Sequence, residues 1–316
     1  MKIFNYKSFR LGVIALSALV IFAGCDKDDD PVGPVLGTET LDAKLAARAD
    51  LSLFKAAIDK ARLTNFTQGG GPFTLFAPNN AAFNAIGITT AADLNTLDSN
   101  LLVQILTYHL QAGARSYVEI PLGPNANMTT QGGLTQYASR KIPPATPNAY
   151  INGVLVSERD IAASNGYLHI IDKVLFPPLL TTAQALAAQP NYARFAQAVV
   201  KTATTTTTNP LTIFAVDNAA MIAAGYDSTT IANATGPALT ALTAIVRYHV
   251  VPRRIFSPDL TAGPLKTVQG GNITVAGTPG NFTLKGNNNP TPFSIVNSDV
   301  ITTTGVVFSI SGLLKP

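Results

Sequence analysis

Tryptophan is absent from this 316-residue chain, cysteine occurs once, histidine three times, and only 13% of the residues are charged. Each shortage excludes something. A lone cysteine, Cys25, has no partner for an intramolecular disulfide. The three histidines stand in no H-x-x-x-H pair, and no C-x-x-C accompanies them, so no metal-ligand spacing is present. A nucleophile would need a serine or cysteine with its base and orienting acid, and no G-x-S-x-G elbow exists. The glycine clusters Gly69–Gly71 and Gly132–Gly133 lack the Lys-Ser/Thr of a phosphate loop, and nothing in the chain asks for a cofactor. So little charge argues against nucleic acid as a partner, and 47% hydrophobic residues argue against disorder. The formal charge of +4 is no basic patch either, because Lys2, Lys7 and Arg10 lie in a segment expected to be removed.

That segment is the N-terminus. Met1 to Arg10 is basic, and Leu11 to Phe22 is apolar but shorter than the roughly 20 residues of a membrane span, as in a secretory signal. Ala23-Gly24 then precedes Cys25. This arrangement resembles the lipobox of bacterial lipoproteins, with Phe22 in place of the usual aliphatic. The resemblance implies cleavage after residue 24 and a lipid on the Cys25 thiol, which would hold the protein on a membrane. The other reading is an unpaired cysteine in an ordinary signal peptide. Residues 25–38, with the run Asp26-Lys27-Asp28-Asp29-Asp30 and the Pro/Gly-rich stretch after it, read as a solvated tether. The Lys-Asp-Asp run also resembles an acidic export signal for the outer membrane, so the expected location is the cell envelope, anchored there, with display at the cell surface as one option.

The remainder says one phrase twice. Pro72-Phe73-Thr74-Leu75-Phe76-Ala77-Pro78-Asn79-Asn80-Ala81-Ala82-Phe83 runs on to Gly87, and Pro210-Leu211-Thr212-Ile213-Phe214-Ala215-Val216-Asp217-Asn218-Ala219-Ala220-Met221 runs on to Gly225 at the same offset. Ile105 to Leu110 returns as Ile245 to Val250, with Tyr108-His109 matched by Tyr248-His249. Thr130 to Gly133 returns as Val268 to Gly271, and Asn165 to Pro177 returns as Thr304 to Pro316. The chain is two copies of one module, at 39–178 and 181–316.

Within each copy, the phrase predicts a short buried strand that turns into a helix capped by Asn79 and Asn80, or by Asp217 and Asn218. Asp50 is placed to cap a preceding helix on which Phe54, Ala57, Ile58 and Ala61 form an apolar face, echoed by Tyr192, Phe195, Ala196 and Val199. Ala91 to Leu110, which holds Leu94, Leu97, Leu101, Leu102, Ile105 and Leu106, suits further short helices, and Asn152-Gly153 between apolar runs signals a hairpin. Helices first and strands after make each copy an α+β module. Pro177-Pro178 leaves a short, stiff linker, so the copies should sit close together. The threonines at 204–208 fall in a helix-to-strand loop and read as polar filler rather than a glycosylated stalk.

The T-[LI]-F-A-P-x-[ND]-x-A-F phrase, the central Tyr-His and the closing N-G-x-[IL]-H-x-I-D-x-V-L-x-P together resemble the fasciclin (FAS1) domain. The second copy departs from it at Val216, Met221, Phe308 and Ser311. The resemblance implies tandem modules, each a mixed β-sheet wedge or sandwich with helices packed at one end, and an extracellular adhesion role without enzymatic activity. It also implies that Tyr108, His109 and the stretch Glu158-Arg159-Asp160-Ile161 match regions used for receptor contact; on the residues alone, Asp160 turns the chain and Ile161 packs inside. A lipid-anchored adhesion or interaction protein that binds a protein or matrix polysaccharide is therefore expected. Two alternatives stay open: a carrier of an apolar small molecule, and an enzyme built on His109 or His169. Against the latter, Phe308 and Ser311 stand where the first copy has His169 and Asp172.

Overall fold

A computed structural model describes residues 37–142, 147–204 and 210–316. Cys25, the signal segment, nearly all of the tether and Thr205 to Thr208 lie outside the described residues. The first copy opens with helices Leu41–Ala46 (α1), Ser52–Lys60 (α2) and Asn65–Gln68 (α3). Strand Phe73–Pro78 (β1) leads into helices Asn80–Asn84 (α4) and Ser99–Tyr108 (α5). Strands Leu110–Ala112 (β2), Ala126–Thr129 (β3), Thr135–Arg140 (β4), Ala149–Ile151 (β5), Val154–Ala163 (β6) and Gly166–Ile171 (β7) complete it. The second copy repeats this with helices Thr182–Ala187 (α6) and Ala193–Lys201 (α7), strand Leu211–Val216 (β8), and helices Asn218–Ala223 (α8), Ser228–Asn233 (α9) and Gly236–Tyr248 (α10). Its remaining strands are Val250–Val251 (β9), Gly263–Lys266 (β10), Asn272–Ala276 (β11), Thr283–Lys285 (β12), Phe293–Thr302 (β13) and Gly305–Ile310 (β14).

Each copy forms one seven-stranded sheet, ordered β2-β1-β7-β6-β5-β4-β3 in the first and, strand for strand, β9-β8-β14-β13-β12-β11-β10 in the second. The pairs β1–β7 and β8–β14 are parallel and the other pairs are antiparallel, so each sheet is mixed. The strand opened by the repeated phrase thus lies second from one edge of the sheet, hydrogen-bonded in parallel to the strand that closes the module. Every residue of β7, β8 and β14 is buried, as expected of strands covered on both faces. Leu168 and Ile170 pack on the helix side with Leu41, Leu45 and Phe54, whereas Phe76 and Ile171 face a second cluster containing Met128, Ile151 and Val156. Helices cover one face, and the sheet curls over the other.

The closing pair is so close that only glycine fits where it begins. A Cβ on Gly166 would lie 1.9 Å from the Phe73 carbonyl oxygen, and one on Gly305 would lie 2.0 Å from that of Leu211. This explains the glycine common to both closing phrases. The Asn152-Gly153 hairpin forms as expected: both residues take positive φ (49° and 82°), and Ile151 pairs with Val154.

The capping expectation holds for one residue of each pair. Asn79 and Asp217 accept from the amides of Ala82 and Ala220, but Asn80 and Asn218 reach sideways. Asn80 accepts from the Leu53 amide and donates to the Ala49 carbonyl; Asn218 accepts from Arg194 and donates to Pro190. Each amide therefore ties the start of one helix to the start of another. Asp50 does not cap α2, because it lies in the 3-10 turn Ala49–Leu51 with its carboxylate held 2.9 Å from the Arg48 guanidinium.

The two copies meet along β4 and the segment after β9, within one compact unit that holds all the described residues. Ser139 donates to the Asp259 carboxylate at 2.6 Å, Lys141 to the Pro258 carbonyl, and Asn125 to the Arg254 carbonyl at 3.0 Å. The Arg254 guanidinium lies 3.9 Å from the centre of the Tyr137 ring, which also packs against Phe256. Asp299 places its carboxylate directly over Gly153, where a Cβ would come within 2.5 Å of it. The short linker is thus supported by direct contacts between the copies.

Candidate functional site

Tyr-His closes the long helix of each copy, and the structure gives both residues interior work. His109 is the C-terminal cap residue of α5 and is 0% exposed. The Leu175 amide, just past β7, donates to its Nε2 at 2.9 Å, so Nε2 carries the lone pair. Nδ1 then bears the proton and donates to the Ile105 carbonyl at 2.8 Å. His249 repeats both bonds, with the Leu314 amide at 3.0 Å and the Ile245 carbonyl at 2.9 Å. In each copy a neutral imidazole ties the chain that leaves the closing strand to the last turn of a helix. Burial pushes the pKa of both rings down to about 4. Tyr108 is 1% exposed; its hydroxyl donates to the Thr135 carbonyl and accepts from Asn152, and burial raises its pKa. Neither Tyr108 nor His109 reaches the surface.

His169 sits on the other face of the sheet. It stacks against Phe76 at 5.4 Å, whereas His109 packs against Phe54. Its Nδ1 accepts from the Asp160 amide at 3.2 Å and its Nε2–H donates to the Arg115 carbonyl at 2.8 Å. Burial lowers its pKa as well. In the second copy Phe308 fills the same place against Phe214, also at 5.4 Å. A position that accepts either ring is filled for packing, and the structure does not bring His109 and His169 into a common cleft. All the ring nitrogens are bonded inside the protein, which leaves none to act as base or ligand. Among the described residues no three His, Cys, Asp or Glu side chains cluster as a metal site would require.

The remaining candidates lie together on β6. Asp160 takes a positive φ of 61° at a bulge, and its carboxylate accepts from the Tyr117 amide. Asp299 does the same in the second copy, with φ 65° and bonds to the Ser257 amide and hydroxyl. Ile161 is half-buried and packs onto the helix-side cluster. Glu158 is exposed and accepts two bonds from Arg48 at 2.7 Å. Such an exposed pair stabilises by at most about 1 kcal/mol, which leaves the carboxylate free to exchange partners.

Beside this bulge is a surface that the sequence reading missed. Val118, Leu122 and Ile142 are 68%, 55% and 50% exposed. Val118 follows Tyr117, Leu122 bridges to Arg140, and Ile142 follows Lys141, whose carbonyl accepts from the Tyr117 hydroxyl; the Tyr117 ring carries the guanidiniums of Arg159 at 3.8 Å and Arg140 at 5.5 Å. No periodic signal marks them, because they come from a 3-10 turn, a bridge and a loop.

A fasciclin domain model matches residues 49–177 and 190–316. Protein sll1483 from Synechocystis is 31% identical over 164 residues, which is 52% of this chain and 82% of that protein. The cell surface glycolipoprotein MPB83 of Mycobacterium bovis is 35% identical over 112 residues, 35% of this chain and 47% of that protein. Human periostin is 30% identical over 140 residues, 44% of this chain and 16% of that protein. This chain thus spans less than half the length of the latter two. A solved FAS1 domain pair from the insect cell adhesion molecule fasciclin I covers 84% of this chain and 96% of its own, at 19% identity and a TM-score of 0.40.

Proposed function

The chain belongs to the fasciclin domain family, and on that premise we propose that it is a lipid-anchored protein of the cell envelope whose modules bind a protein or matrix polysaccharide. The anchor is Cys25 and the membrane is the outer one. The observation that carries the binding role is the contrast between inside and outside. The Tyr-His motifs and His169 are consumed by internal hydrogen bonds, while Val118, Leu122 and Ile142 stand exposed on the segments that hold Tyr117 and the two guanidiniums over its ring, those of Arg140 and Arg159. Exposed apolar side chains with arginines beside them are a recurrent form of partner-binding surface. Asp160 supports this face by holding the Tyr117 turn, whereas Ile161 packs into the helix-side core on the other face of the sheet. That a relative is named a cell surface glycolipoprotein supports the envelope location.

The test is capture of envelope proteins and matrix glycans by the full chain and by its Val118→Asp/Leu122→Asp variant. The proposal expects a component retained by the parent chain and lost at least tenfold by the variant. Retention of nothing, or equal retention by both, contradicts it.

A further inference from the structure

An apolar groove of about 580 Å³ runs between the Phe176–Leu180 segment, helix α6 and strands β13 and β14. Four of its large side chains, Phe176, Leu179, Leu180 and Val300, remain 44%, 50%, 43% and 41% exposed. No Asp, Glu, Lys or Arg lines it. Its volume falls within the roughly 300–1,000 Å³ of small-molecule sites, which combine apolar walls with a few placed polar groups.

The duplication supplies a comparison within the same chain. In register, Ser309 of β14 occupies the position of Ile170 in β7, since both lie four residues after the closing glycine. Ile170 is 3% exposed and packs into the helix-side core. Ser309 is 5% exposed, lines the groove, and its hydroxyl has no hydrogen-bond partner among the described residues. A buried hydroxyl left unpaired is destabilising, so a partner from outside the protein would be favoured there. Asn297, directly opposite Ser309 in the β13–β14 ladder, also lines the groove. Its Oδ1 is used by the Ser298 amide, which leaves the Nδ2 donor for a ligand. The second copy thus replaces a packed isoleucine by one polar end of an otherwise apolar trough.

We propose that this groove binds an uncharged amphiphile, with its hydroxyl or carbonyl end at Ser309 and Asn297 and its hydrocarbon body along Phe176, Leu180 and Val300. The absence of charged walls selects against an ionised head group, whose desolvation would go uncompensated. This site is separate from the Tyr117 surface, so either assignment stands without the other.

The probe is a diazirine-bearing hexadecanol, photolysed with the full chain in mild detergent, with labelled peptides located by mass spectrometry. Labelling that excess hexadecanol displaces is expected on peptides containing Phe176 to Leu186 and Val300 to Ser309, with hexadecanoate a weaker competitor. Ser309→Ile, which restores the residue of the first copy, and Leu180→Glu, at an exposed position, should each reduce it at least tenfold. Val300→Gln replaces either variant if its cooperative thermal unfolding is lost. The absence of displaceable labelling in these peptides, its retention in either variant, or equal competition by hexadecanoate overturns the proposal.

Discussion

Acidification should unfold this protein through its two Tyr-His motifs. His109 and His249 are neutral in the fold because each accepts one backbone amide and donates to one carbonyl, and burial holds both near pKa 4 against 6.5 for a free imidazole. A depressed folded pKa contributes stability that is present above the unfolded value and is lost as the pH falls toward the folded one. At pH 5 the unfolded chain takes up nearly one proton at each site and the folded chain almost none, a loss of about 2 kcal/mol per histidine and about 4 kcal/mol for both. Against a total stability of about 5–15 kcal/mol this is large. Asp259 and Asp299 act in the opposite sense. Burial raises their pKa, so whatever they contribute is greatest in acid and declines as the pH rises. Asp259→Asn and Asp299→Asn variants remove that opposing contribution. Urea denaturation at pH 7, 6 and 5 measures the slope. His169, whose pKa burial also lowers, adds to the loss in the same sense; His109→Gln and His249→Gln should each lower stability at pH 7 by about 2 kcal/mol and remove about 2 kcal/mol of the loss between pH 7 and 5. A change below about 1 kcal/mol over that range in the parent chain, or an unchanged slope in the double variant, would refute the reasoning.

Other consequences are more local. Asn80→Ala and Asn218→Ala should each cost about 1–3 kcal/mol, since each leaves a helix-start amide without its acceptor; thermal unfolding reads this, and equal stability would deny the tie between helices. Gly166→Ala should cost more than about 4 kcal/mol, because its Cβ would overlap the Phe73 backbone in the parallel pair. Arg48→Ala, at an exposed ion pair, should cost less than about 1 kcal/mol. Ser139→Ala should loosen the junction between the copies, seen as faster proteolysis of the Pro177-Pro178 linker with each module's core intact.

The repeat made most of the fold legible, because two divergent copies keep only what the backbone cannot give up. The glycine before each closing strand, the strand-to-helix phrase and the Asn-Gly hairpin all describe local geometry, and each is found where it was expected. Local pattern places Asn80 and Asn218 as caps because capping is a local interaction; their actual partners, Leu53 and Arg194, are more than twenty residues away, and no local pattern points to them. Asp50 fails as a cap for a different, local reason: it lies inside the 3-10 turn Ala49–Leu51, and Arg48, two residues before it, holds its carboxylate. Tyr108 and His109 were offered for partner contact by resemblance, yet their burial depends on how β4 and the chain after β7 fold over α5. The junction between the copies and the groove at Ser309 were invisible for the same reason, since each is assembled from segments that meet only in three dimensions. Ser309 nevertheless left one trace, a polar residue where the other copy holds isoleucine.

On the proposed function, the chain is held to a membrane at one end and free to bind with the rest. Mass spectrometry of the N-terminal peptide from the protein isolated from its own membranes tests this most directly. A peptide beginning at Cys25 with a diacylglyceryl group on its sulfur is expected; a Cys25 that retains a free thiol, or a mature chain that begins beyond it, overturns the proposed anchor.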